Sequence, residues 1–187
     1  MPKRIFDLLF SAVALIVLAP FFVLIALAIR WDSAGPVLFR QERVGRGGRV
    51  FRIRKFRTMV VDAPARGPAI TIGQDSRITR VGAWLRRTKL DELPQLLDVL
   101  RGDMSLVGPR PCLFIQTELI QAREAKGIFD VRPGITGLAQ VNGVDMSDPM
   151  RLATLDAEML RRLTVLAYLR FIVWTATGRG AGDQVRG

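Results

Sequence analysis

Histidine is absent from this sequence, and cysteine and tyrosine occur once each, as Cys112 and Tyr168. Without histidine, Ser-His-Asp and Cys-His catalysis are excluded and a zinc site is disfavoured, so acid–base work falls to carboxylates. A single cysteine forbids an internal disulfide and fits a reducing, cytosolic compartment; packing is its ordinary role. Acids are scarce as well, 17 against 28 Lys and Arg, for a formal net charge of +11. That balance points to an anionic partner: nucleic acid, a membrane surface or a phosphorylated substrate. Aromatics make up only 7% of the chain, which leaves few rings for base stacking and weighs against nucleic acid. Repeats and low-complexity segments are missing, and 187 residues suffice for one domain with its own core.

What the chain does have is a long apolar run near its start. From Leu8 to Ile29 only Ser11 and Pro20 are not plainly apolar. As a helix this run measures roughly 33 Å, close to the roughly 30 Å hydrocarbon core of a bilayer. It is too long and uniform for a buried soluble helix, and it lacks the small-residue cleavage site of a signal peptide. Two features oppose a simple crossing. Pro20 removes the bond from its nitrogen to the Ile16 carbonyl, which predicts a kink near the middle. Positive charge also flanks both ends, with Lys3 and Arg4 before the run and Arg30, Arg40, Arg43 and Arg46 after it. The positive-inside rule then asks for both flanks to be cytoplasmic. A helix that enters, bends at Pro20 and returns to the same face meets both conditions. Residues 1–30 are thus expected as a re-entrant membrane helix, and 31–187 as the catalytic part of one membrane-associated domain.

Val37–Val44 and Val50–Arg57 alternate apolar with charged residues around Gly45-Arg46-Gly47-Gly48, which predicts a β-hairpin. Most of its arginines read as a basic face toward anionic headgroups, each worth about 1 kcal/mol near the surface. Val61–Asp75, rich in Pro, Gly and Ala, reads as a mobile loop that covers a site. Asp75-Ser76 is the expected cap of a helix on which Ile78, Val81, Trp84 and Leu85 share a face, with Arg80, Arg86, Arg87 and Lys89 on a basic side. Leu113–Ala125 reads as an ordinary amphipathic helix. Ser147 and Pro149 open a long final helix, whose apolar part, Leu163–Ala176, suits a membrane interface. Gly178–Gly187 reads as a frayed end.

The densest chemistry lies in Lys89–Pro111. An adjacent acid pair, Asp91-Glu92, precedes Leu93, Leu96, Leu97 and Leu100 at helix spacing, with Gly102 as the stop. Asp91 reads as the N-cap and Pro94 as a first-turn residue, which sets the pair at the positive end of a helix dipole and favours its ionised form. Gly108-Pro109-Arg110-Pro111 is a stiff turn that presents Arg110 in a nearly fixed direction. An ionised acid pair beside a rigidly held guanidinium suits phosphate chemistry: a metal or nucleophile site next to an anion clamp. Further on, Gly134, Gly137 and Gly143 allow a backbone to approach a ligand closely.

Four segments in order resemble the signature of the bacterial sugar transferase family, the monotopic polyprenyl-phosphate phosphoglycosyl transferases in their small, catalytic-domain-only form. They are KFRTM (Lys55–Met59), LDELPQL (Leu90–Leu96), GDMSLVGPRP (Gly102–Pro111) and RPGITGLAQVNG (Arg132–Gly143). The resemblance implies an α+β, mainly α fold: a re-entrant membrane helix, a small β-hairpin and amphipathic interfacial helices. These would surround an active site at the cytoplasmic face of the bacterial inner membrane. It implies transfer of a sugar-1-phosphate from a UDP-sugar to polyprenyl (undecaprenyl) phosphate with release of UMP, the first membrane step of glycoconjugate synthesis. In that chemistry Asp91 is the nucleophile that carries the phosphosugar, and Asp91 and Glu92 hold Mg²⁺ or Mn²⁺. Arg110, Lys55 and Arg57 bind phosphate, and Arg132, Gln140 and Asp156 are the implied nucleotide or substrate contacts. Membrane lipids are expected partners; nucleic acid is not. Two positions depart from the family pattern: Ala19 stands before Pro20 where serine is frequent, and Met159 stands where tyrosine is usual. Readings from other classes each leave part of the sequence idle. A nucleic-acid-binding protein has no use for the apolar run, and a non-enzymatic basic membrane scaffold has none for the acid pair and the PRP turn.

Overall fold

The apolar run folds as one helix. In the computed structural model, which describes residues 2–68, 75–144 and 146–177, α1 spans Pro2–Asp32 with Pro20 inside it. Its 31 residues give a contour length of about 46 Å. The middle turns its side chains outward: Val13, Ile16, Val17, Phe21, Val23 and Leu24 are all exposed. Both ends, in contrast, are fastened to the rest of the chain.

β1 (Leu38–Val44) and β2 (Val50–Phe56) form the expected antiparallel hairpin, with Leu38 opposite Phe56 and Val44 opposite Val50. Alternation on β2 buries Phe51 and Ile53, but its second half also buries Arg54 and Lys55. α2 (Ala63–Arg66) is a single turn. The loop expected to cover a site runs on into residues 69–74, which lie outside the described residues, as does the end expected to fray, Gly178–Gly187.

α3 (Arg80–Thr88) begins later than Asp75-Ser76 would have it. Its cap is Thr79, whose Oγ1 accepts the Gly82 N–H at 3.0 Å. Asp75 is spent elsewhere, on the Arg77 N–H and guanidinium. Gly82 lets α3 lie directly on the end of KFRTM, since a Cβ there would sit 2.0 Å from the Thr58 carbonyl oxygen. α3 closes at Lys89, a left-handed residue with φ of 59°. The chain then makes a 3-10 turn over Leu90–Gln95 before α4 (Leu96–Arg101). Asp91 therefore lies inside a 3-10 turn and is not the N-cap of an α-helix whose dipole would favour its ionised form.

β3 (Ser105–Val107) and β4 (Gly134–Thr136) pair in parallel, with Ser105 opposite Gly134. Three-residue strands carry no readable alternation, and neither was expected. Their contact is backbone on backbone: a Cβ on Gly134 would lie 2.0 Å from the Gly108 nitrogen. Here glycine serves the packing of GPRP against RPGITG. α5 (Thr117–Glu124) occupies the inner part of the Leu113–Ala125 segment, and α6 (Leu138–Val141) is a single turn. The final helix divides in two. α7 (Pro149–Arg162) is capped by Asp148 through the Arg151 N–H at 3.0 Å, and α8 (Val165–Ala176) by Thr164 through the Ala167 N–H at 3.2 Å. Thr164 breaks the run because its hydroxyl competes with the helical backbone.

Among the described residues the core has three parts. Phe51 and Ile53 of β2, Val99 of α4, Leu106 of β3 and Phe171 of α8 meet in one cluster. A second lies between α5 and α7, around Leu119, Leu152 and Ala153. The third seats Ile25 and Ile29 of α1 on Phe56 and Leu85. The result is a mainly helical fold with small two-stranded sheets, as the sequence implies.

Candidate active site

The 3-10 turn packs on β2, and this contact assembles the charged motifs. Lys55 Nζ donates to Glu92 Oε1 at 3.0 Å, and Arg110 Nη2 donates to the same oxygen. One carboxylate oxygen thus joins KFRTM, LDELPQL and GPRP. All three side chains are nearly buried, at 8%, 12% and 14% exposure for Lys55, Glu92 and Arg110. Lys89 stands close by: burial lowers its pKa, Glu92 draws it back up, and Arg110 lowers it again. Beneath them Arg54 is neutralised by the fully buried Asp98, which accepts its N–H at 2.9 Å and its guanidinium. Burial pushes the Asp98 carboxyl up, and Arg54 pulls it back.

Asp91 is 7% exposed and opens into a cleft of about 290 Å³. Lys55, Arg57 and Arg86 line the same cleft, which is walled by Phe39, Met59, Val61 and Leu113. Three cations therefore share the cleft with the carboxylate, and hydrocarbon forms much of the remaining wall. Arg57 also secures the exit of α1, since it donates to the Ser33 carbonyl at 2.7 Å and to that of Ala34. Arg86 donates through Nε to Thr58 Oγ1 at 2.8 Å. The sequence placed Arg86 on the basic side of its helix without giving it a role in the site.

Of the expected site residues, the structure brings Asp91, Glu92, Lys55, Arg57 and Arg110 together. Arg132, Gln140 and Asp156 lie apart. Arg132 Nε donates to the Gly102 carbonyl at 2.7 Å, in a second cleft of about 670 Å³ shared with Arg46 and Arg49. Gln140 is buried beside Gly137, and its amide atoms have no hydrogen-bond partner among the described residues. Asp156 is fully buried and paired with Arg123, at 3.0 Å from Nε and 2.6 Å from Nη2. Arg123 and Arg43 are the residues that sequence reasoning missed. Each donates to a carbonyl of the PRP turn, at 2.7 Å to Arg110 and 3.1 Å to Pro111. Backbone acceptors leave no trace in a sequence; the one available signal was an arginine on the apolar face of α5, four positions after Leu119.

Among the described residues no three His, Cys, Asp or Glu side chains converge as a metal cage. Mg²⁺ commonly needs no such cage, resting instead on one or two carboxylates, waters and substrate phosphates. Asp91 and Glu92 are hard oxygen donors of that kind, with Glu92 Oε1 already shared by two cations.

Comparison with known proteins places the chain in a family. A family model described as bacterial sugar transferase matches residues 1–179. The undecaprenyl-phosphate glucose phosphotransferase of Komagataeibacter xylinus is 44% identical across 92% of this chain and 35% of its own length. The UDP-glucose:undecaprenyl-phosphate glucose-1-phosphate transferase of Caulobacter vibrioides is 46% identical across 86% of this chain and 58% of its own. The exopolysaccharide production protein PSS of Rhizobium leguminosarum is 48% identical across 76% and 74%. The chain thus spans about a third to three quarters of the curated relatives it matches. With a family match over nearly its whole length, the chain belongs to the bacterial sugar transferases.

Proposed function

We propose that this chain transfers a sugar-1-phosphate from a UDP-sugar to a polyprenyl phosphate at the cytoplasmic face of the bacterial inner membrane. The observation that carries the reading is a carboxylate, Asp91, set in a cationic cleft beside the Lys55–Glu92–Arg110 cluster. The Asp91 carboxylate attacks the phosphorus that bears the sugar, the bond from that phosphorus to the bridging oxygen breaks, and UMP leaves with the oxygen. The sugar-phosphate is then an acyl phosphate on Asp91. A phosphate oxygen of the lipid attacks the same phosphorus, and Asp91 departs as a carboxylate. Arg110 and Lys55 offset charge on the transferring phosphoryl group, Arg110 through its planar fork. Mg²⁺ or Mn²⁺ held by Asp91 and Glu92 together with the diphosphate would neutralise the leaving group. The apolar wall of the cleft and the outward side chains of α1 support a lipid acceptor and a membrane setting. Arg57 and Arg86 are further phosphate contacts. Arg132 and Gln140 keep the implied nucleotide side, supported only by their place in the RPGITGLAQVNG segment.

The experiment supplies purified protein with undecaprenyl phosphate and a panel of UDP-sugars headed by UDP-glucose, since glucose is in the names of two of the relatives above. UMP release should depend on the protein, vanish in Asp91→Asn, fall on exhaustive EDTA treatment and return with Mg²⁺. Undiminished release from Asp91→Asn would contradict the nucleophile, and full turnover in EDTA would contradict the metal.

A further inference from the structure

The turn that carries Arg110 contains two prolines, and neither Pro109 nor Pro111 has an N–H to donate. The turn is held through its carbonyls instead. Four in succession accept, from three parts of the fold: β4, α5 and, twice, β1. Pro109 accepts the Gly134 N–H at 2.8 Å and Cys112 the Val44 N–H at 3.0 Å. Between them, Pro111 accepts Arg43 Nη1 at 3.1 Å and Arg110 accepts Arg123 Nη1 at 2.7 Å. Prolines limit the shape of the turn; these bonds fix where it points.

The bond to the Arg110 carbonyl is the one nearest the clamp, and its donor comes from α5. Arg123 is 1% exposed and divides its fork. Nε and Nη2 take Asp156 Oδ2, while Nη1 takes the Arg110 carbonyl. Asp156 is fully buried; burial drives its carboxyl toward the neutral form, and Arg123 opposes that. A buried ion pair is commonly no more stabilising than apolar residues of similar volume. Apolar residues, however, cannot donate to a carbonyl.

We infer that Arg123, seated on Asp156, is the positioning residue of the Arg110 clamp. By holding the Arg110 carbonyl it sets the direction in which the Arg110 guanidinium meets Glu92 and the transferring phosphate. Asp156 then acts from beneath the site, through Arg123, and does not touch the nucleotide. The inference rests on the transferase reading above. A lysine in place of Arg123 would lack the planar fork needed to serve the carboxylate and the carbonyl at once.

The test is a double-mutant cycle between Arg123→Lys and Arg110→Lys, read as UMP release from UDP-glucose with undecaprenyl phosphate. Arg123→Lys keeps Asp156 paired but gives up the fork. It should lower kcat about tenfold while KM for UDP-glucose moves by less than about threefold. In the Arg110→Lys background the same change should cost less than about twofold, because the fork it aims is already gone. A full, additive loss in that background, or an unchanged kcat from Arg123→Lys alone, would overturn the inference. A merely structural role lowers the melting temperature and leaves the kcat of the folded fraction intact. Should Arg123→Lys fail to fold, Arg123→Met with Asp156→Leu removes both charges together and enters the same cycle with the same expected outcome. A second readout needs no turnover. The Arg110 Nε–H resonance in arginine-selective spectra should shift in Arg123→Lys, and an unmoved resonance would overturn the inference whatever the wild type catalyses. Wild-type protein that releases no UMP from any UDP-sugar would sink the transferase reading instead.

Discussion

Glu92 separates the two acids that the sequence presents as a pair. Its Oε1 is shared by Lys55 and Arg110, while Asp91 is the acid that lines the cleft. Glu92→Gln keeps the shape but removes the carboxylate charge that the nearly buried Lys55 and Arg110 share. We expect a stability loss of about 3 kcal/mol in thermal or denaturant melts. A loss below about 1 kcal/mol would mean that the cluster is solvated like an ordinary surface pair. A second residue-scale prediction concerns pH. Arg77 beside Asp75 holds that carboxyl down at about 2 against its ordinary 3.8. The folded value lies below the unfolded one, so the contribution is present above about pH 4 and is lost as pH falls toward 2. Wild type should therefore lose more stability than Asp75→Asn on acidification through that window, and equal losses would contradict the pairing. At this scale the motif residues were legible because their types announce phosphate chemistry. Arg123 was not, because what it binds is a main-chain carbonyl, and any residue supplies one.

Elements follow a similar division. The hairpin was legible from alternation around a glycine turn, with ends within a residue or so of those observed. α3 was legible as a helix but not in its start, because an acid that reads as a cap is drawn off by Arg77. β3 and β4 were invisible, being three residues each. Asp7 was also overlooked, though it ties α1 to β3. It accepts the Leu106 N–H at 3.1 Å, the Ser105 hydroxyl at 2.9 Å and the Tyr168 hydroxyl. Asp7→Ala would strand the Leu106 N–H and leave the Ser105 and Tyr168 hydroxyls, 3.2 Å apart, only each other as acceptors; it should cost about 3 kcal/mol, whereas Tyr168→Phe removes one donor and should cost about 1 kcal/mol. Equal losses from the two variants in parallel melts would show that Asp7 is not the hub of this joint.

For the whole molecule, the informative fact is that both ends of α1 hold the same body. Arg4 donates to the last carbonyls of α4, at 2.7 Å to Val99 and 3.2 Å to Leu100, and Asp32 Oδ2 accepts the Val81 N–H of α3 at 2.9 Å. A helix that crossed the membrane once would carry one of these joints to the far side. We propose on this ground, and on that of the basic flanks, that both ends of α1 stay on one face of the membrane. Single cysteines at Lys3 and at Ser33, in a Cys112→Ser background, should both resist a membrane-impermeant thiol reagent in intact cells. Labelling at Lys3 alone would mean a true crossing. A covalent phosphosugar on Asp91 can be weighed and counted. The protein is incubated with its UDP-sugar in the absence of lipid acceptor, its intact mass is recorded, and released UMP is counted in the same reaction. The account predicts one UMP per chain and a mass gain of one sugar-phosphate. That gain should map to Asp91, be absent from Asp91→Asn and be discharged by undecaprenyl phosphate. Lipid-dependent turnover with no such adduct, or with the adduct still present in Asp91→Asn, would contradict it.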